Sequence, residues 1–76
     1  MEKFIIEMQV KINGKFEKHY HQNITEQKNK EAINVYVEHI TSKKREAKIF
    51  YDEDEAKRVA TMFEQENLKI SKVIPL

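Results

Sequence analysis

One amphipathic stretch in the second half of the chain constrains the fold more than any other feature. Between residues 52 and 67, apolar residues recur at the spacing i, i+3, i+4, i+7, which places them in one stripe along a helix. The stripe consists of Ala56, Val59, Ala60 and Phe63. A single helix cannot bury its own stripe, so the rest of the chain must supply a sheet for it to cover.

Both ends of this predicted helix carry terminal signals. Asp52 and Glu55 have the spacing of a capping box, and the four consecutive acids from 52 to 55 complement the positive end of the helix dipole. Asn67 suits the left-handed conformation that follows many helices. Helix capping therefore explains the acidic run, and we assign it neither catalytic carboxylates nor a cation site.

Length and composition set the limits of the interpretation. A chain of 76 residues predicts one small α+β domain over residues 1–76, with a thin core. Fourteen basic and thirteen acidic residues nearly cancel, which argues against a protein whose main task is to neutralise phosphate. The absence of cysteine excludes disulfides and thiolate metal sites. No apolar run approaches the ~18 residues of a membrane span, and we expect a cytoplasmic protein.

Alternation over residues 3 to 12, broken only by Ile5 on the polar face, predicts a half-buried first strand with water on one side. Its apolar face carries Phe4, Ile6, Met8, Val10 and Ile12. Asn13-Gly14 follows at once and predicts a hairpin.

The register of that hairpin is open to two interpretations. A two-residue loop would place charged and imidazole side chains on the apolar face, so we favour a three-residue connection with Gly14 in a left-handed bulge. In that register Phe16 and Tyr20 join the buried face, because opposed residues share a side of a sheet. His19 and His21 then face solvent.

The remaining elements follow from shorter patterns. Residues 22–32 are polar and aperiodic, which favours a mobile connection, with a helical turn from Thr25 as the alternative. Residues 33–40 alternate as a third strand, residues 41–46 form a turn or one helical turn, and residues 47–51 form a fourth strand. Leu68, Ile70, Val73 and Ile74 suggest a last strand before Pro75.

The predicted fold class is therefore α+β. We expect a mainly antiparallel four- to five-stranded sheet with one helix packed on one face, in the order β-β-β-β-α-β. If the fourth and last strands are parallel neighbours, the helix is a right-handed crossover. If they are not neighbours, the helix lies across the sheet.

The stretch from residue 41 to 60 resembles the second half of many short uncharacterised proteins of phages and prophages of Gram-positive bacteria. The matching positions are Ser42, Ala47, Lys48, Phe50, Glu55, Ala56 and Ala60. The opening hairpin, with Lys11-Ile12-Asn13-Gly14-Lys15, is also similar to theirs. The resemblance implies a compact sheet-and-helix domain in a phage context, and it brings no catalytic residue.

No motif in the chain predicts an enzyme or a cofactor. His19 and His21 are two apart on a strand, and His39 is a third imidazole, but no further ligand stands at metal-site spacing. Ser42 and Ser71 lie outside any nucleophile-elbow pattern, and a single glycine cannot form a phosphate-binding loop. We therefore expect neither a metal site nor a catalytic residue.

The basic residues support an alternative function, nucleic-acid binding by a basic and aromatic sheet face. Such a face combines cationic side chains with rings on which bases stack. The candidate residues are Lys11, Lys15, Lys18, Tyr36, Lys43, Lys44, Arg45 and Lys48.

The favoured function is a non-enzymatic protein-interaction module, an accessory protein that binds a host or phage protein. Sheet edges are templates for pairing, and the second strand, predicted to be short and charged, has the features of a protected edge. Homodimerisation would also help so thin a core. Residues predicted to lie outside the core and to mark a partner surface are Ile5, Phe50 or Tyr51, and Ile40.

Overall fold

The fold is a four-stranded antiparallel sheet with one helix on one face, seen in a computed structural model that describes residues 2–64 and 70–76. The spatial order of the strands is β3-β2-β1-β4. The elements are β1 Phe4–Ile12, β2 Lys15–Lys28, β3 Asn34–Thr41, a 3-10 turn Lys44–Glu46, α1 Glu53–Met62 and β4 Ile70–Pro75. The predicted α+β class is confirmed. Asn67 and Leu68, predicted as a helix end and a strand residue, lie outside the described residues.

The hairpin between β1 and β2 uses the two-residue loop. Ile12 pairs with Lys15 and Lys11 with Phe16, across a turn in which Asn13 and Gly14 have φ of 52° and 81°. Two successive positive φ values give a turn whose twist matches that of the flanking strands. The predicted bulged register is therefore wrong.

The two faces of the sheet differ in what packs on them. The helix face of the sheet carries the even-numbered residues of β1, and α1 packs on it. Its core cluster consists of Phe4, Ile6, Met8, Phe50 and Ala56, with Val10, Val59, Ala60 and Val73 packed against it. The buried helix stripe is confirmed, since Phe63 is also buried.

The opposite face of the sheet carries the odd-numbered residues of β1 and a smaller core. Ile5, Tyr20 and Ala47 are buried there, with Ile74 packed against them. Ile5 is thus a core residue, and the prediction that it lies outside the core is wrong. Phe50 and Tyr51 were predicted as alternatives, and Phe50 is the one that is buried. Tyr51 and Ile40 are exposed as predicted.

Pairing between β1 and β2 stops at Glu7 and Tyr20, and beyond this pair the two strands diverge and form a fork. The segment after the 3-10 turn lies between them in the fork. Phe50 forms a single antiparallel bridge with Phe4, and the Lys48 amide donates to the His21 carbonyl over 2.9 Å. The predicted fourth strand at 47–51 is therefore reduced to one bridge. The last strand β4 pairs antiparallel with β1, so α1 lies across the sheet and is not a parallel crossover.

Beyond the fork, β2 continues with β3 as a two-stranded ribbon, called here the arm (residues 23–39). The prediction of a mobile connection at 22–32 is wrong, because β2 extends to Lys28 and its turn is held by Asn29, whose Oδ1 accepts from the amides of Glu31 and Ile33. A bulge lies between His21 and Asn23. The Cα radius of gyration is 13.1 Å, which is larger than the value of about 11 Å for a compact chain of this length.

The helix begins as predicted and ends early. Asp52 is the N-cap, and its Oδ1 accepts from the Asp54 amide over 2.9 Å. One turn on, the hydrogen bond to Glu53 raises the pKa of Lys57, and the charge of Glu53 acts in the same direction. The helix ends at Met62, short of the predicted end at residue 67.

Candidate interaction surfaces

A buried hydrogen bond joins the arm to the body of the domain. The Nδ1–H of His21 donates to Oε2 of Glu38 over 2.6 Å, and the two side chains are 0% and 4% exposed. The His21 ring also lies against Phe50, with the ring centroids 5.8 Å apart. His21 therefore lies on the helix face, and its predicted position in solvent is wrong. Because a carboxylate oxygen only accepts, the pair fixes the imidazole orientation at the base of the arm.

The three histidines do not converge on one point. His19 and His21 lie on the helix face, whereas His39 lies on the opposite face, where its Nε2 is hydrogen bonded to Thr25 Oγ1 at 2.8 Å. Among the described residues no group of three or more His, Asp or Glu side chains has the geometry to hold a metal ion. The rings of His21 and His39 each form a hydrogen bond to a side chain within the fold.

His19 and Ser71 flank Met8 on the helix face, because both residues pair with it from opposite sides. Their Nδ1 and Oγ atoms are buried without a partner in the described part of the chain, as is His21 Nε2. Two strand spacings separate β2 from β4, roughly 10 Å, which is beyond hydrogen-bond reach. This row therefore does not form the contact between nucleophile and base that acyl transfer requires.

The first candidate surface is the outer edge of β3. No described strand pairs with this edge, and β3 contains no lysine, arginine or proline. The other edge strand, β4, is shorter and carries Lys72 and Pro75, two residue types that discourage pairing. The large apolar side chains exposed on or beside β3 are Ile33, Val35, Tyr36 and Ile40. The predicted protected edge, the second strand, is wrong, since β2 is the longest strand and lies inside the sheet.

The second candidate surface lies on the uncovered half of the opposite face and is called here the Phe16 patch. The register brings together residues from β1, β2 and β4 that all point to this side. All members are exposed: Gln9, Lys11, Phe16, Lys18, Ile70 and Lys72. Phe16 is 60% exposed and Ile70 is 71% exposed, so both apolar side chains contact solvent.

Glu7 is the one acid among the described strand residues of this face, and it lies between two lysines. Its carboxylate oxygens are 3.9 Å from Lys18 Nζ and 3.6 Å from Lys72 Nζ. The carboxylate is mostly shielded, with 12% of its side chain exposed, whereas the lysines are largely exposed. The patch therefore presents positive charge to solvent.

The residues predicted to bind nucleic acid divide between the two faces. Lys11 and Lys18 lie in the Phe16 patch, whereas Lys15 and Tyr36 lie on the helix face. The remaining candidates lie around the 3-10 turn: Lys43, Lys44, Arg45 and Lys48. Of these, Lys48 has its Nζ 5.1 Å from the centroid of the Phe50 ring. The eight residues thus do not form one surface.

Sequence reasoning missed Phe16 and Lys72 as members of a surface. The two-residue reading of Asn13-Gly14 would have placed Phe16 opposite Lys11 on the exposed side. Nothing local could have placed Lys72, because its position depends on the pairing of β4 with Glu7 of β1.

A shallow apolar depression of about 370 Å³ borders the same face of the sheet near its covered half. Its floor and rim consist of Ile5, Lys44, Arg45, Ala47, Ile49 and Leu76. Two cationic side chains therefore extend the positive charge of this face beyond the Phe16 patch.

Comparison with known proteins gives no further assignment: no family model, no curated protein and no solved structure matches this chain. Within the described residues, no helix has the length and apolar character needed to cross a membrane.

Proposed function

We propose that this protein is a non-enzymatic interaction module that acts in the cytoplasm and binds a protein partner at the outer edge of β3. The partner would add an extended segment to the sheet, so that main-chain hydrogen bonds supply affinity and side chains supply specificity.

The contrast between the two edge strands is the observation that carries the proposal. An edge strand without lysine or proline is a ready template for another strand, and natural proteins normally protect such edges. In this chain β4 has a lysine and a proline, whereas β3 has neither. The arm also carries β3 away from the body, so a partner strand meets little steric hindrance.

The class of partner follows from the phage resemblance of residues 41–60 and of the opening hairpin. A host or phage protein is the partner that we propose on that basis. A second copy of the chain also presents an open β3 edge, so a homodimer is the simplest complex of this kind.

Site-specific photocrosslinking tests this function. A chain with p-benzoylphenylalanine in place of Tyr36 is irradiated in a lysate of a Gram-positive bacterium, and a second chain carries the probe in place of Met62 on α1. Both side chains are 57% exposed, which makes the second chain a matched control. We expect the probe at position 36 to form a discrete adduct, either with a second copy of the chain or with another protein. The probe at position 62 should form none.

A charge on the edge provides the complementary measurement. Tyr36→Lys should abolish capture of the crosslinked protein and any sedimenting dimer, because lysine on an edge disfavours pairing. Met62→Lys should leave both unchanged. Equal capture by Tyr36→Lys and wild type, or equal crosslinking from both positions, would contradict the proposal.

A further inference from the structure

We infer that the Phe16 patch is a binding site for single-stranded nucleic acid. The inference does not depend on the proposed protein-binding function, because the patch and the β3 edge share no residues.

The near-zero net charge of the chain conceals a separation of charge between the two faces of the sheet. The described strand residues of the opposite face carry Lys11, Lys18 and Lys72 against Glu7, a net charge of +2. On the helix face the strands carry Lys15 and Lys28 against three acids, Glu17, Glu26 and Glu38. The acidic first turn of α1 lies on that side as well. A polyanion would therefore approach the opposite face.

Phe16 identifies the kind of polyanion. Its exposed ring lies directly opposite Lys11 and two residues before Lys18 on the same face, so cations flank it on two sides. A ring between cations suits a base stacked on the ring with its phosphates on the lysines. An acidic peptide would use the lysines but would gain little from a flat aromatic surface.

The same ring favours a single strand over a duplex. In a duplex the bases stack on each other, and a protein reaches only their edges in the grooves. The patch spans three neighbouring strands, which makes it broader than the helix or two-stranded ribbon that a major groove admits. Unpaired bases can stack on Phe16, and Ile70, two strands away on the same face, is a second exposed apolar side chain.

Fluorescence polarisation with a labelled oligothymidine of about 12 nucleotides tests the site. The titration is repeated with the matching RNA, a duplex of equal length and polyglutamate, at about 50 and 200 mM salt. We expect the single strands to bind at the lower salt, at least about tenfold more tightly than the duplex or polyglutamate. Affinity should fall at the higher salt, because phosphate contacts release counterions.

Matched variants distinguish the patch from general electrostatic attraction. Lys11→Gln/Lys18→Gln and Lys15→Gln/Lys28→Gln remove the same charge from opposite faces of the sheet. The first should weaken binding at least about tenfold and the second by no more than about twofold, because only the first removes phosphate contacts. Phe16→Leu should weaken binding about fivefold or more, whereas Phe16→Tyr should preserve it, since only the tyrosine keeps a stacking ring.

Several results would overturn the inference. They are absence of single-strand binding at low salt, equal binding of duplex or polyglutamate, and equal losses from the two lysine pairs. Urea denaturation of each variant confirms that it is folded. If a Phe16 variant fails to fold, the two lysine pairs alone decide the outcome, because their side chains are exposed.

Discussion

His21 and Glu38 are 17 residues apart in the chain, yet their Nδ1 and Oε2 atoms are 2.6 Å apart at the base of the arm. Both side chains are almost inaccessible to solvent. A buried imidazole without its acceptor would keep the cost of desolvation and lose the compensating hydrogen bond. The pair is therefore a structural connection between the arm and the body.

Replacement of Glu38 tests this connection. Glu38→Leu should lower the free energy of unfolding by about 1 to 3 kcal/mol, because His21 loses its acceptor. Glu38→Gln should cost less, since the amide oxygen still accepts from Nδ1–H. Urea denaturation followed by circular dichroism measures both variants. Equal stability of the leucine variant and wild type would show that the pair contributes nothing.

Phe50 and Tyr51 are adjacent aromatic residues with opposite environments, 2% and 59% exposed. Phe50→Ala should destabilise the domain by about 3 to 5 kcal/mol, because it opens a cavity in the core under α1. Tyr51→Ala should change stability by no more than about 0.5 kcal/mol. Thermal or urea unfolding of the two variants measures the difference, and similar losses would contradict the assigned positions.

The turn between β1 and β2 requires positive φ at Gly14. Gly14→Ala should cost about 1 to 2 kcal/mol, because L side chains disfavour this backbone region. A Cβ atom at Gly14 would meet no atom within 4 Å, so the loss comes from the backbone alone. Asn13→Gly, at the neighbouring position, serves as a control with little expected loss. An unchanged urea midpoint for Gly14→Ala would argue against the two-residue turn.

The N-cap of α1 is a single side chain. Asp52→Ala should destabilise the domain by about 1 kcal/mol, because the Asp54 amide loses its acceptor. Asp52→Asn retains a capping oxygen and should remain close to wild type. Urea denaturation separates the two, and equal losses would assign the effect to charge and not to the cap.

The parts of the fold that local pattern determines were predicted correctly. The stripe of α1, its cap at Asp52 and the alternation of β1 depend on residues within one or two turns or strand steps of each other. The third strand was placed within one residue at each end, because β-branched residues there alternate with polar ones.

The register of the first hairpin was not predictable from the apolar pattern. The prediction assumed that Phe16 would be buried in preference to His21. His21 occupies the core because Glu38, on the neighbouring strand β3 but 17 residues along the chain, accepts its hydrogen bond, and such a partner leaves no local signal. Phe16 is left exposed by the same register.

The arm was not predicted, for a different reason. The part of β2 beyond the bulge contains no buried residue, so it needs no alternation of apolar and polar residues. Ladder hydrogen bonds with β3 and the Asn29 turn hold it as a strand. Both candidate surfaces depend on pairings of this kind, which is why the sequence predicted basic residues but not the patch they form.

The fork between β1 and β2 has a consequence for the order of folding. The arm closes through contacts between neighbours in the chain, whereas its attachment requires Lys48 to reach His21 of β2 and Phe50 to reach Phe4 at the start of β1. Because contacts between residues distant in the chain form more slowly than local ones, we expect the two strands of the arm to pair early in folding. The orientation of the arm relative to the body would then stay variable until Phe50 packs into the core. Packing of the Phe50 ring would then be the folding step that fixes the arm relative to the rest of the domain.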